Sequence, residues 1–162
     1  MAVAILLTAC ITVFATGKKP GATPPKKVDY QISFNRIVVA DDIDLQLIES
    51  NDKFIEITGD NAAIEKVDWK ISKNVLYIKS KKESLKDKVT VTVNVNQLKE
   101  LMIKGKSVIN SQGALLSPSL HVYMTDDSYV AIKSAGQIRI MNSSDTQLDV
   151  RRIVGDVQFA IK

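Results

Sequence analysis

From Tyr30 onward, apolar and polar residues alternate along most of the chain, and short clusters of turn-forming residues separate the runs. An alternation with a period of two is typical of β-strands that bury one face. The clearest run is Val89–Val95, which has four valines on one face and two threonines and an asparagine on the other. The same pattern predicts strands over residues 43–48, 54–58, 67–71 and 75–78, and one helical turn within residues 61–66. We therefore predict an all-β fold.

The second half of the chain contains an internal repeat. Residues 101–109 align with residues 122–130 at an offset of 21, and residues 122–132 align with residues 140–150 at an offset of 18. In the second alignment, Val130 and Ile132 fall on Leu148 and Val150. Each unit reads as strand, small polar turn, strand, and repeats of about 20 residues that cannot bury their apolar face alone stack on one another. We predict a β-solenoid, or β-helix, with a β-sandwich as the alternative, because strand alternation fits both.

The first residues have the features of an export signal. Residues 2–15 form an almost unbroken apolar run of 14 residues, which is shorter than the roughly 20 helical residues that cross a bilayer but suits the apolar region of a signal peptide. Leu7-Thr8-Ala9-Cys10 resembles the lipobox of bacterial lipoproteins. The resemblance implies that Cys10 is lipidated on its sulfur and becomes the mature N-terminus. Cleavage after Ala15 and an uncleaved anchor are the alternatives.

A tether is predicted between this signal segment, residues 1–15, and a single all-β domain over residues 30–162. Residues 16–29 are rich in proline and lysine and contain no residue suited to a core before residue 28. Proline favours an extended backbone and the lysines repel one another, so this segment holds the domain away from the membrane.

The charge of the chain argues against a nucleic-acid partner. The net charge is +4, and residues 1–27 contain four lysines and no acid, so residues 28–162 are electrically balanced. A nucleic-acid binder needs a basic stripe on its folded surface. We expect no nucleic-acid partner.

One internal segment is rich in lysine. Residues 79–88 hold five lysines and two acids between two predicted strands. This composition predicts a long solvated hairpin loop, and a basic ligand-binding patch is the alternative.

Candidate catalytic groups are few. The only histidine, His121, lies at a polar-side position of a predicted strand, with no second histidine or nucleophilic cysteine to act with it. Asp127 and Asp145 occupy equivalent repeat positions, where two stacked carboxylates would suit a glycosidase pair or calcium, or simply a solvated turn. We expect no enzymatic activity, no metal and no cofactor.

Basic residues near strand ends are candidate surface contacts. Lys133, Arg151 and Arg152 suit a sugar or anion contact, together with Asp127 and Asp145, or they protect an exposed strand edge from aggregation. Residues 155–156, followed by residues 157–161, predict a terminal hairpin that caps the last repeat.

Residues 34–79 and the repeated units that follow resemble the head GIN domain of the putative auto-transporter adhesins, over about residues 32–160. The family's repeat turns are usually glycine-rich. Here residues 104–107 keep a glycine, whereas residues 125–128 and 143–146 use aspartate, serine and threonine, which also suit tight turns. The resemblance implies a right-handed β-helix preceded by a strand-rich half.

The same resemblance implies a lipoprotein-like envelope protein of a Gram-negative bacterium. We predict a non-catalytic binding or adhesion module that is anchored to a membrane by its N-terminal lipid and faces the periplasm or the cell surface. Its expected ligand is an envelope protein or a glycan. The alternative is a structural or assembly component of the envelope that pairs with another protein.

Overall fold

A computed structural model describes residues 24–81, 88–125, 128–142, 148–153 and 156–161, with side chains up to residue 141. These residues form one short helix and fourteen strands. The helix α1 is Asn61–Ile64. The strands are β1 (Lys26–Asp29), β2 (Arg36–Ala40), β3 (Ile43–Glu49), β4 (Phe54–Thr58), β5 (Val67–Ser72), β6 (Val75–Ser80), β7 (Val89–Val95), β8 (Glu100–Lys104), β9 (Val108–Leu115), β10 (Ser119–Met124), β11 (Tyr129–Ser134), β12 (Gln137–Asn142), β13 (Leu148–Ile153) and β14 (Asp156–Ile161).

The predicted all-β class is confirmed. The strands build two sheets that mix parallel and antiparallel pairs, and neither sheet closes on itself. An eight-stranded sheet has the order β1-β4-β7-β3-β9-β11-β14-β13, and a six-stranded sheet has the order β12-β10-β8-β2-β6-β5. From β6 to β13 the chain passes from one sheet to the other at every connection.

The buried core lies between the inward faces of the two sheets. Ile37, Leu101 and Val122 from the six-stranded sheet and Leu45 and Val91 from the eight-stranded sheet belong to the same apolar cluster and are at most 1% exposed. Their polar neighbours along each strand point outward, as alternation requires. The period of two that predicted the strands therefore also defines the inner and outer surfaces of both sheets.

The internal repeat corresponds to parallel strand pairs in register. Val122 pairs with Leu101, Val130 pairs with Ile109, and Ile140 pairs with Val122, as the sequence alignment predicts. Equivalent positions of successive repeats are therefore direct neighbours in the sheets.

One part of the repeat prediction is wrong. Val130 and Ile132 do not lie beside Leu148 and Val150, because β14 folds back antiparallel and pairs with both β11 and β13. Phe159 is the neighbour of Val130. The predicted terminal hairpin is present as β13 and β14, but it inserts its second strand into the sheet instead of continuing the parallel order.

Two segment boundaries also differ from the prediction. Residues 26–29, assigned to the tether, form β1 and pair antiparallel with β4, while residues 1–23 lie outside the described residues. The lysine-rich segment 79–88 does not join a hairpin, because β6 and β7 belong to different sheets. Lys79 is part of β6, and residues 82–87 of this connection lie outside the described range.

Candidate functional site

An apolar ridge crosses the outer surface of the six-stranded sheet. Residues paired across neighbouring strands share one face of a sheet, and one such outward row runs through five strands from β12 to β6. We call this row the apolar ridge, and it consists of Met141, Tyr123, Met102, Val38 and Tyr77. Met141 is 42% exposed and Tyr77 is 37% exposed, and the three residues between them are half-buried. At about 4.8 Å between strands, the ridge is about 19 Å long.

Charged residues lie on both sides of the apolar ridge. Basic residues outnumber acidic ones among the outward positions of these strands and the adjacent β5, which carry Arg36, Lys70, Lys79, Lys104 and Arg139 against Asp68 and Glu100. Arg36 Nε lies 3.7 Å from Glu100 Oε2, which offsets one charge of each sign. The balance of the remaining groups makes this face positive, and such a face attracts anions.

The outer surface of the eight-stranded sheet has a different composition. Its corresponding central row is polar except at its end, and it runs through Glu56, Thr92, Gln46, Asn110 and Ala131. Thr92 Oγ1 lies 3.5 Å from Gln46 Oε1, so neighbouring polar side chains approach one another along this row. The apolar ridge is thus specific to the six-stranded sheet. Exposed apolar patches of this kind mark interaction surfaces.

A pocket of about 430 Å³ lies at the β5 end of the apolar ridge. We call it the lysine–aromatic pocket, and its lining includes Asp68, Trp69, Lys70, Lys73, Tyr77 and Lys79. Tyr77 belongs to both the pocket and the apolar ridge, so the two features form one continuous site. The volume falls in the range of small-ligand pockets, in which aromatic walls carry a few polar groups.

The β5–β6 hairpin positions this pocket. Ser72 pairs with Val75, and the two residues between them, Lys73 and Asn74, have φ angles of 51° and 64°. Two positive φ angles define the type I′ turn that suits tight hairpins. Lysine at such a position is strained, and strain of this kind concentrates at functional sites.

The aromatic residues beside the two cavities differ in how far the protein covers them. Trp69 packs against the core while it also lines the pocket. Lys70 Nζ lies 5.6 Å from the centre of the Tyr77 ring, which is near the outer limit of a cation–π contact. In a second cavity, beside β1, Lys27 Nζ lies only 3.7 Å from the centre of the Phe54 ring and covers it. The ring of Tyr77 is therefore more accessible to a ligand than the ring of Phe54.

Three of the five residues predicted as surface contacts lie on the other sheet. Lys133, Arg151 and Arg152 lie on β11 and β13 of the eight-stranded sheet, and the backbone N–H of Lys133 donates a 2.8 Å hydrogen bond to Ser111 Oγ. Cys10, Asp127 and Asp145 lie outside the described residues. Lipidation and a carboxylate pair therefore stay predictions.

His121 lies next to the apolar ridge. It is half-buried on β10, as expected for a polar-side strand position, and it pairs with Glu100 on one side and Arg139 on the other. Across the described ranges, no group of three or more histidine, cysteine, aspartate or glutamate residues is placed to hold a metal ion. In the same part of the chain, no helix is both long and apolar enough to cross a bilayer.

Sequence reasoning missed the apolar ridge, although the sequence contains a signal for it. Tyr77 and Tyr123 occupy outward positions at which alternation calls for polar side chains, and each is flanked by two apolar residues. Such positions suggest an exposed aromatic. That the two tyrosines share one row follows only from the strand order, since β10 and β6 are separated by β8 and β2.

The fold and this surface define an all-β, two-sheet protein with one apolar, basic face. Residues 33–161 match the family described as "Putative auto-transporter adhesin, head GIN domain". The chain belongs to this family, as its sequence resemblance predicted. A search of curated proteins found no match.

Solved structures share the fold. A putative adhesin from Parabacteroides merdae ATCC 43184 matches with a TM-score of 0.63 and 22% identity, over 76% of this chain and 53% of the other. A putative adhesin from Parabacteroides distasonis ATCC 8503 matches with a TM-score of 0.55 and 18% identity, over 74% of this chain and 56% of the other. The chain thus spans about half the length of each of these relatives.

Proposed function

We propose that this chain is a non-catalytic binding module of the bacterial cell envelope that engages its ligand through the outer face of the six-stranded sheet. The observation that carries the proposal is the contrast between the two outer faces. One has the apolar ridge and the lysine–aromatic pocket, and the other has a polar row. Membership of a family described as adhesins supports a binding role.

Retention of the protein by isolated envelopes tests this function. The purified full chain is mixed with sedimented envelope fragments of a Gram-negative bacterium, and the bound fraction is measured against protein concentration. We expect saturable binding that Tyr77→Ala weakens and Tyr129→Ala does not. Tyr129 is a matched control because it is 40% exposed but lies on β11 of the other sheet. Linear, non-saturable retention, or equal loss in both variants, contradicts a binding role for this face.

The proposal includes a lipid anchor at Cys10, which places the module at a membrane surface. The four residues that end in Cys10 support it through their resemblance to a lipobox. Mass spectrometry of wild type and Cys10→Ala purified from membranes tests the anchor. A diacyl or triacyl mass on a peptide that begins at Cys10, lost in the variant, is expected. An unmodified N-terminus at Thr16 or an intact Met1 contradicts lipidation without affecting the binding proposal.

We also propose that the chain winds as a right-handed β-solenoid. The parallel registers between successive repeats and the alternation of β6 to β13 between the two sheets support this winding. An experimental structure tests the handedness. Parallel neighbours joined by left-handed crossovers, or a sheet order without the parallel stack, would contradict it.

A structural role in envelope assembly is the second candidate, and an open strand edge favours it. In the described part of the six-stranded sheet, β12 pairs with β10 on one side only, and such an edge can pair with a strand from another protein. Photo-crosslinking in cells from exposed Gln137 on β12 tests this role. Adducts with one defined protein support it, and adducts with only glycans or lipids count against it.

A further inference from the structure

We infer that the ligand of this face is an acidic polysaccharide, which lies along the apolar ridge with one sugar ring in the lysine–aromatic pocket. The inference rests on the proposed binding function and names its ligand class. Three features of the face carry it: the shape of the apolar ridge, the chemistry of the pocket, and the sign of the surrounding charge.

The shape of the site fits an extended polymer. The apolar ridge crosses five strands and ends in the pocket at Tyr77. A small molecule would occupy the pocket and leave the apolar ridge exposed to water. An extended chain covers both features at once, and several weak contacts along it add to the affinity.

The pocket combines the two kinds of group that a sugar ring requires. The face of a sugar ring presents C–H groups that pack against an aromatic ring, and the outward-facing Tyr77 lines the pocket. Hydroxyl groups at the rim of the sugar need hydrogen-bond partners when water is displaced. The Asp68 carboxylate accepts such bonds, and the lysine ammonium groups donate them.

The charge of the site selects an acidic sugar. Lys70, Lys73 and Lys79 line the pocket against the single carboxylate of Asp68. Lys104 and Arg139 extend the positive charge along the apolar ridge. A neutral polysaccharide would leave these cations without counter-charges, whereas carboxylate or sulfate groups on the polymer would pair with them.

An acidic protein segment would satisfy the charges but explains less of the pocket. Apolar protein anchors favour pockets from which water and charge are excluded. Here three lysines and an aspartate line the same cavity as Tyr77. The mixed lining therefore favours a ring that is apolar on its face and polar at its rim.

Binding of the purified full chain to four defined polymers tests the inference. Polygalacturonate carries carboxylates on sugar rings, dextran sulfate carries sulfates, dextran is the neutral counterpart, and poly-L-glutamate carries carboxylates on a polypeptide. Affinities are measured by biolayer interferometry at low and at physiological salt, because screening separates charge from ring contacts. We expect polygalacturonate or dextran sulfate to bind at least about tenfold more tightly than dextran and poly-L-glutamate.

Matched variants locate the binding on this face. Tyr77→Ala removes the ring shared by the pocket and the apolar ridge, and we expect it to weaken polymer binding about tenfold. Lys79→Gln should weaken binding about threefold at low salt and less at physiological salt. Tyr129→Ala makes the same change as Tyr77→Ala on the eight-stranded sheet and should leave binding unchanged. Circular dichroism confirms that each variant folds.

Each outcome decides the inference. Preference for either acidic polysaccharide, weakened in Tyr77→Ala and Lys79→Gln but not in Tyr129→Ala, supports it, and the preferred polymer identifies the acidic group. Equal binding of poly-L-glutamate shows that charge alone is recognised and overturns it, as does equal binding of dextran or binding of no polymer. Saturable envelope binding without polysaccharide binding overturns the ligand class while the proposed binding function remains.

Discussion

The backbone of Asp41 lies so close to Gly105 that a Cβ atom at Gly105 would come within 2.8 Å of the Asp41 carbonyl oxygen and 2.9 Å of its nitrogen. Gly105 also has a φ of +117°, a conformation that other residues rarely adopt. Its carbonyl accepts a 2.6 Å hydrogen bond from the Ser128 hydroxyl. Glycine is therefore required at position 105, because the backbone of Asp41 leaves no room there for a side chain.

Gly105→Ala should lower the free energy of unfolding by about 3 kcal/mol, because both the backbone strain and the contact with Asp41 oppose a methyl group. Gly113→Ala is the matched control. Its φ is +82° but nothing lies within 4 Å of the added Cβ, so only strain applies and a loss of about 1 kcal/mol is expected. Urea unfolding measures both. Equal losses would show that the approach of Asp41 has no energetic effect.

The side chain of Asp41 provides a second test of the same region. Asp41 has a φ of 67°, and its Oδ2 accepts a 2.7 Å hydrogen bond from the backbone N–H of Ser80. Asp41→Ala removes the acceptor and keeps the unfavourable φ, so we expect a loss of about 2 kcal/mol in urea unfolding. Asp41→Asn keeps an oxygen acceptor and tolerates this conformation, so its loss should be smaller, about 0.5 kcal/mol. Equal losses would assign the effect to the charge, which both variants remove, and not to the hydrogen-bond acceptor.

Strands whose signal is local were predictable from the sequence. The β7 residues alternate strictly between apolar and polar, and β4 has the predicted bounds because turn-forming residues flank it. The β1 sequence, Lys-Lys-Val-Asp, has no such alternation, and its strand character comes from pairing with β4. A strand that depends on a distant partner carries little signal of its own.

The candidate site was less predictable than the strands because it depends on strand order. Lys70 and Met141 are 71 positions apart in the sequence, yet they end the same outward row. The parallel register at Leu101 and Val122 followed from the repeat, whereas the insertion of β14 beside β11 did not. A sequence repeat indicates which residues occupy equivalent positions in successive units. It does not indicate which additional strand enters the sheet between them.

The phenol of Tyr30 predicts a pH dependence of stability. Burial raises the pKa of Tyr30 above its usual value of 10.0, and its hydroxyl donates a 2.8 Å hydrogen bond to the Asn94 carbonyl oxygen. The folded state therefore favours the neutral phenol. This contribution to stability is complete below pH 10 and is lost as the pH rises through 10 toward the folded-state pKa.

Tyr30→Phe tests this dependence. At pH 8 the variant should lose about 1 kcal/mol of unfolding free energy with the hydrogen bond. From pH 8 to pH 10.5 the free energy of unfolding should fall more steeply in wild type than in Tyr30→Phe, so the two curves converge. Absorbance at 295 nm, compared between the two proteins, measures the ionisation of Tyr30 directly. Parallel curves would contradict the raised pKa.

The turn of the β5–β6 hairpin predicts that stability and binding respond in opposite directions. Lys73 and Asn74 both have positive φ angles, and Asn-Gly is the preferred pair for such a type I′ turn. The double variant Lys73→Asn with Asn74→Gly should therefore raise the free energy of unfolding by about 1 kcal/mol. Lys73→Gln is the control, because it removes the same charge without improving the turn, and it should leave stability nearly unchanged.

Both variants also remove a cation from the lysine–aromatic pocket. If Lys73 contacts an acidic ligand, the double variant and Lys73→Gln should both bind polygalacturonate or dextran sulfate about threefold more weakly at low salt. If the double variant is more stable than wild type but binds less tightly, the strained conformation of Lys73 serves binding at a cost in stability. A more stable protein with unchanged binding would mean that Lys73 makes no contact with the polymer, and the pocket's cationic partners would then be Lys70 and Lys79.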